Sequence, residues 1–222
     1  MSVSVENFVK SVFKLENTPG SDTRTGSIAA SLGISSAATT DMAQKLALRD
    51  LVNYKKYQPI SLTPKGRRMA LSLIRKHRLW ETFLHKVLEL SLSEIHQEAE
   101  LLEHQTSEFL ADKISNFLGN PEFDPHGDPV PDAFGNLAMD YSISLSEALP
   151  GKNYTLSRLD SSEADFFDFS SQNALNIGCA VSVIKQYRNS NMTEIMVNNK
   201  SILLNSDISK KIYLTTNHNH DE

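Results

Sequence analysis

The chain has 222 residues, one cysteine and a formal net charge of −5, a length that holds one to three small domains, each with its own core. A single cysteine, Cys179, excludes an intramolecular disulfide framework and a cysteine-based zinc cluster, and its expected role is that of a small buried residue. No run of about 18 apolar residues offers a membrane span, and the start MSVSVENFVK lacks a signal-peptide pattern, so a soluble, cytoplasmic protein with no membrane partner is expected.

The charge is unevenly spread. Residues 1–75 hold 11 Lys and Arg against 5 Asp and Glu, a net of +6, whereas residues 76–222 carry −11. A basic first third on an acidic body points to a polyanion partner for that third alone. Its elements agree. In SVENFVKSVFKLE, Val5, Phe8, Val12 and Leu15 fall at helical spacing, and TPGSD is a turn. TGSIAASL, residues 25–32, gives a short helix that Gly33 ends, and Ser35 can cap another helix running to about Leu48. Two short helices joined by a tight Gly-containing turn are a helix-turn-helix. LVNY and ISLT then flank a turn at Gln58 and Pro59, a hairpin that serves as the wing of a winged helix.

In the second helix of that motif, Ser35, Ser36, Ala37, Ala38, Thr39, Thr40 and Asp41 are the residues expected to meet the major groove. Hydroxyls can bond phosphates or base edges, and Ala or Thr methyls can pack on thymine methyls. No arginine is placed for bidentate guanine reading, so small direct contacts are expected alongside shape readout. Lys45, Lys55 and Lys56, with Lys65, Arg67 and Arg68, would supply phosphate contacts.

From Arg67 to Leu118 the pattern is helical throughout and divides into three helices, the second near Leu92 to Glu103. HQEAELLEH, residues 96–104, sets His96, Glu100, Glu103 and His104 on one helical face, while Glu98, Leu101 and Leu102 point elsewhere. Such a stripe is either a solvated charged face or a set of converging donors. Two features favour convergence. No Lys or Arg lies between Lys86 and Lys113, so the usual i,i+4 ion pairs are missing, and another pair, His77 and Glu81, stands upstream at the same spacing. Trp80 and Phe83 read as packing residues. Residues 119–132, GNPEFDPHGDPVPD, allow only a loop, in which His126 is expected to structure the turn. Residues 141–215 change to short alternating strands, a small β-barrel pattern. The terminal HNHDE reads as a disordered tail.

Four segments, IAASLGISSAATTDMAQKLALRDLVNYKKYQPISLTPKG, RKHRLWETFL, HQEAELLEHQTS and DPHGDPVP, resemble the diphtheria toxin repressor family of iron- and manganese-responsive transcriptional regulators. ALNIGCAVSVI and the closing strands are similar to that family's SH3-like, ferrous-iron-transport-A-type domain. The resemblance implies a mainly α fold with β: a winged helix-turn-helix over 1–71, a helical metal-binding and dimerisation domain over 72–140, and an SH3-like domain over 141–222. It implies a non-enzymatic repressor, a homodimer on double-stranded operator DNA that controls metal-uptake genes. It also implies two metal sites per chain. The primary site maps to Asn7, Glu100, Glu103 and His104. The ancillary site maps to His77, Glu81 and His96, and counting back from Ile177 and Gly178 adds Glu163. Oxygen-rich donors with imidazole suit Mn2+ or Fe2+, with Zn2+ or Co2+ as binders in vitro.

The chain also departs from the family pattern. Glu100 stands where iron-type members carry Cys, and Asn7 where manganese-type members carry Asp. Lys10 stands where those members carry a further Glu, and Asp50 where a glycine is usual. Asn7 can still ligate through its carbonyl oxygen, and Lys10 cannot. Without metal, Glu100 and Glu103 are expected to repel, and an ion is expected to relieve them and recruit Asn7, coupling metal to DNA reciprocally. The competing classes are a winged-helix regulator of an organic ligand and a dimetal-carboxylate helical enzyme, whose Glu-x-x-His motif is absent here.

Overall fold

The computed structural model describes residues 2–18 and 20–216, so the HNHDE segment lies outside the described residues. The chain divides into two compact units. One comprises Met1–His77, Glu100–Lys113 and Pro131–Asn136, and the other Arg78–Ala99, Ile114–Val130 and Leu137–Glu222. Three helices, α4 (Pro64–Leu88), α5 (Leu92–Glu103) and α6 (Glu108–Phe117), have residues in both.

The first unit is built around α1 (Val3–Glu16), α2 (Thr25–Leu32), α3 (Ser36–Leu48) and the antiparallel hairpin β1 (Val52–Asn53) and β2 (Ser61–Leu62). α1 buries Val5, Phe8, Val9, Val12 and Phe13, which join Ile28, Ala43, Leu46, Leu51, Ile60 and Ile74 in one core. Leu15 packs at its margin. Ser35 caps α3, its hydroxyl accepting from the Ala38 amide, which satisfies one of the orphan donors of the first turn. The chain leaves α3 through Asp50, whose φ of 55° is left-handed. Asp tolerates that region better than most residues, so the expected turn into the wing forms without glycine. α4 starts at Pro64, earlier than the expected Arg67, because proline is preorganised for a first helical position. Gly66 keeps this helix close to the wing: a Cβ there would lie 1.9 Å from the Leu51 carbonyl oxygen.

The second unit holds a six-stranded antiparallel sheet in the order β3-β8-β4-β5-β6-β7. The strands are β3 (Ile143–Ser144), β4 (Asn153–Leu159), β5 (Ala180–Tyr187), β6 (Met192–Val197), β7 (Lys200–Asn205) and β8 (Ile212–Thr216). Alternate residues such as Tyr154 and Leu156 or Ile195 and Val197 turn inward to one core, as period-2 patterning requires. Cys179 packs at the edge of this core, half-buried. Two helices join the expected strands, α7 (Ala164–Gln172), which adds Phe166 and Phe167 to the core, and α8 (Ser206–Lys211). The 119–132 loop is fastened to β4 at Gly127, which has a φ of +88° and no room for a Cβ, the Ser157 carbonyl oxygen being 1.9 Å from that position. Among the described residues, no helix is long and apolar enough to cross a membrane.

Candidate metal centre

Among the described residues, carboxylate and imidazole groups gather within each of the two units. In the first, α1 supplies Glu6 and Lys10, with Asn7 on the turn between them, α4 supplies His77, and α5 with the residue after it supplies Glu100, Glu103 and His104. The apolar stripe of α1 goes to the core, and Lys10, on another side of the helix, is buried against His77 of α4 and the two carboxylates of α5. The Lys10 side chain is 7% exposed, and its ammonium donates to Glu100 Oε2 at 2.8 Å and to both Glu103 oxygens at 2.7 Å. The Glu103 side chain is fully buried, and His77 Nδ1 lies 2.5 Å from its Oε2. Burial by itself would raise the Glu100 carboxyl, but the Lys10 ammonium outweighs it and holds that carboxyl below its usual range.

This arrangement corrects one expectation. Glu100 and Glu103 are not two bare repelling carboxylates: Lys10, whose position was expected to be a mere missing ligand, sits on both. His77, assigned from the sequence to the ancillary set, belongs to this cluster as well.

Two donors here have no hydrogen-bond partner although both are buried, Asn7 Oδ1 and His104 Nε2. His104 presents Nε2 because its Nδ1 lies 2.6 Å from Glu6 Oε2, the carboxylate–imidazole pairing that orients metal-binding histidines. Glu100, Glu103 and His104 each offer a donor atom within 4.8 Å of the others. Unpaired buried polar atoms are costly, and an oxygen-rich set with one free imidazole nitrogen satisfies a hard or borderline divalent cation. The residues therefore fit such an ion.

The second cluster joins Glu81 of α4, His96 of α5, and Asp124 and His126 of the 119–132 loop. Glu81, Asp124 and His126 are all buried and form another group of donors within 4.8 Å. His96 Nδ1 is 3.1 Å and His126 Nδ1 3.7 Å from Glu81 Oε1. Asp124 Oδ1 accepts from the His126 and Asp128 amides, while its Oδ2 has no hydrogen-bond partner. Burial, then the Asp128 and Glu81 charges, push the Asp124 carboxyl up to about 8 against the pull of Arg78. Burial disfavours the His126 imidazolium, yet Glu81 outweighs it and the pKa rises to about 9. His126 structures its loop as expected, its carbonyl accepting from the Leu159 amide. It also turns its ring onto Glu81, a role the sequence left out.

Glu163 joins none of these groups. It stands at the N-cap position of α7, where its side chain makes no capping hydrogen bond, and pairs with Lys211 at 2.5 Å. Counting back from Ile177 took no account of α7, which shortens the path between the two positions. Glu6, Lys10 and Asp124 were missed. Glu6 stands beside Asn7 on the same helix, and Asp124 two residues before His126 in a turn, but neither sequence context marks a ligand. Trp80 and Phe83 pack edge to face, as expected of packing residues.

On α3, the helix expected to meet the groove, and at its cap, Ser35, Ser36, Ala37, Ala38 and Asp41 are exposed and Thr40 partly so. Thr39 must be withdrawn from that set: it is fully buried and its hydroxyl donates to the Ser35 carbonyl. Its place on the core face of α3, with Ala43 and Leu46, decides this. Lys45 is exposed and pairs with Asp41 at 2.6 Å. Gln44, overlooked in the sequence, is exposed on the Ser36–Thr40 side of the helix, one turn further on. Lys55 and Lys56 are exposed in the wing, with the Lys56 ammonium 4.9 Å from the Tyr57 ring centre.

Comparison with known proteins agrees with this organisation. Residues 63–132 match the family model described as the iron dependent repressor, metal binding and dimerisation domain. The transcriptional regulator MntR of Listeria welshimeri is 33% identical over 100 residues, covering 45% of this chain and 69% of that protein. MntR of Geobacillus kaustophilus is 32% identical over 100 residues, with 45% and 70% covered. Among solved structures, a manganese-dependent transcriptional repressor in complex with manganese superposes with a TM-score of 0.89 at 27% identity, covering 96% of this chain and 99% of that one. ScaR with bound Zn2+ gives 0.83 at 29%, with 96% and 99% covered. The chain belongs to the diphtheria toxin repressor family of metal-dependent transcriptional regulators.

Proposed function

We propose that the protein is a transcriptional repressor that binds double-stranded operator DNA as a homodimer in the cytoplasm and lowers expression of metal-uptake genes when Mn2+ or Fe2+ is plentiful. One observation carries this reading: His104 Nε2 is buried without a hydrogen-bond partner in a group that also holds Glu100 and Glu103, while Asn7 Oδ1, on the turn of α1 between Glu6 and Lys10, is buried and unpaired as well. Asn7, Glu100, Glu103 and His104 would hold one ion, and Glu81, His96, Asp124 and His126 a second. A divalent ion, when bound, supplies the positive charge that these donors share.

The chain's own residues provide the link to DNA. Glu6 holds His104 and Lys10 holds Glu100 and Glu103, so α1 is fastened to α5. The opposite side of α1 lies in the same core as Ile28 of α2 and Ala43 and Leu46 of α3. A small change in α1 therefore bears on the helix that presents Ser36, Ala37, Thr40 and Lys45. Residues 1–71 would act as the DNA-binding part, 72–140 as the metal-binding and dimerising part. The names of the similar proteins, a manganese-dependent transcriptional repressor among the solved structures and transcriptional regulators called MntR, support the same reading.

The test is fluorescence anisotropy with DNA from upstream of the protein's own gene, run anaerobically in chelator, in Mn2+ and in Fe2+. Metal should tighten binding by about tenfold or more, the range of ordinary allosteric coupling, and operator should tighten metal binding by the same factor. His104→Ala should abolish the difference. Tight binding in chelator that neither metal changes would overturn the proposal.

A further inference from the structure

We propose that Lys10 is a tethered cation of the first cluster: it braces α1 against α5 without any metal and leaves room there for one divalent ion rather than two. This rests on the reading of the cluster as a metal site and concerns how that site is charged.

Three contacts of 2.7–2.8 Å from one ammonium to two carboxylates take up Glu100 Oε2 and both oxygens of Glu103. Lys10 is itself buried, and its Nζ also lies 3.5 Å from His77 Nδ1. A buried ammonium that gave up these partners would be an uncompensated charge. Displacement by an ion is therefore opposed twice, through the ammonium and through Glu103. The donors not committed to Lys10 are another matter. Asn7 Oδ1 and His104 Nε2 have no hydrogen-bond partner, and of the four carboxylate oxygens of Glu100 and Glu103 only Glu100 Oε1 lies outside the contacts of Lys10. That is a mononuclear donor set.

The charges agree. With neutral imidazoles, Glu6, Glu100 and Glu103 against Lys10 leave two negative charges, which one divalent ion neutralises. A second ion would leave two positive charges in a buried cluster, and Lys14, whose charge also acts on Glu100, would add to that excess. Buried charge without a counter-charge is strongly disfavoured. Lys10 also makes the brace between α1 and α5 permanent. The ion then adds less to a connection already made, so the difference in DNA affinity between chelator and Mn2+ is smaller than the cluster would give without the lysine.

The experiment uses the full chain, wild type beside Lys10→Gln and Lys10→Glu. Bound Mn2+ is counted by equilibrium binding, and its environment is read by electron paramagnetic resonance, which separates an isolated ion from a spin-coupled pair. Wild type should show only isolated ions. Lys10→Glu should bind one more ion per chain and show a coupled pair. In chelator, Lys10→Gln should melt several degrees below wild type and regain the difference on adding Mn2+, and its gain in operator affinity with Mn2+ should exceed that of wild type. A coupled pair in wild type, an unchanged ion count in Lys10→Glu, or equal melting of wild type and Lys10→Gln in chelator would each overturn the proposal. DNA binding that ignores metal in all three proteins would defeat the repressor reading instead, since ion counts and melting do not depend on it.

Discussion

The two clusters are made of the same groups, carboxylates and imidazoles, yet they solve the problem of burying acid differently. In the first, Glu103 is fully buried and keeps its charge company with Lys10. In the second, Asp124 is also buried, but the Arg78 guanidinium stands 3.7 Å off and is shared with Asp128 and the Pro129 carbonyl. There the carboxyl retains a proton instead. A buried acid needs a counter-charge or a proton, and where each is found decides how the site responds when the solution changes.

The sharpest way to break this contrast is to take the ammonium away. Lys10→Met leaves Glu103 a buried carboxylate without its cation and should lower stability in chelator by about 3–5 kcal/mol, measured by urea unfolding. The double variant Lys10→Met/Glu103→Leu removes both charges and should recover much of that loss, because an apolar pair of similar volume pays no desolvation. A single variant that unfolds like wild type would mean that the first cluster does not depend on its cation. Gly127→Ala probes the second cluster through its backbone. The new methyl would collide with the Ser157 carbonyl and the φ of +88° would be strained, so about 3 kcal/mol should be lost, with the Asp124–His126 loop displaced.

How much of this was legible in the sequence follows from range. The winged helix-turn-helix was readable because Gly33, Ser35 and the apolar spacing act within a few residues. The stripe of His96, Glu100, Glu103 and His104 was readable for the same reason. Lys10 was not: a lone lysine on an amphipathic helix ordinarily faces water, and the carboxylates that bury it are 90 and 93 positions away. α7 was missed because ADFFDFSSQ is rich in residues of weak helix propensity, and the packing of Phe166 and Phe167 in the core decides its conformation. Thr39 was misplaced because a helix must turn one face to its own core, and composition alone did not show which.

A smaller effect should come from Glu6, which touches only the imidazole. Glu6→Gln can keep a hydrogen bond to His104 Nδ1 but loses the carboxylate that makes Nε2 a stronger donor. Metal affinity should fall about tenfold with little change in melting temperature in chelator. Titration with Mn2+ under competition from a chelator of known strength would read it. A variant with unchanged affinity would remove His104 from the site or Glu6 from its support.

A gradual effect separates the clusters by pH in the metal-free protein. Asp124 rises from its ordinary 3.8 to about 8, and His126 from 6.5 to about 9. Between its unfolded and folded values each group binds more proton when folded, so the stability it contributes is complete below the first value and lost as pH climbs through the second. The two windows overlap from pH 6.5 to about 8, and the chelated protein should lose on the order of 1 kcal/mol per pH unit on going from there to pH 9, read as a falling melting temperature. Glu100 acts with the opposite sign: its carboxyl is held below 4.5, so its contribution is present above that value and lost only on acidification. Asp124→Asn should therefore flatten the alkaline slope, leaving the share of His126, while Glu100→Gln should leave that slope as it was. If Asp124→Asn keeps the full slope, Asp124 carries no proton in the folded protein, and Arg78 balances it at 3.7 Å as Lys10 balances Glu103 at 2.7 Å.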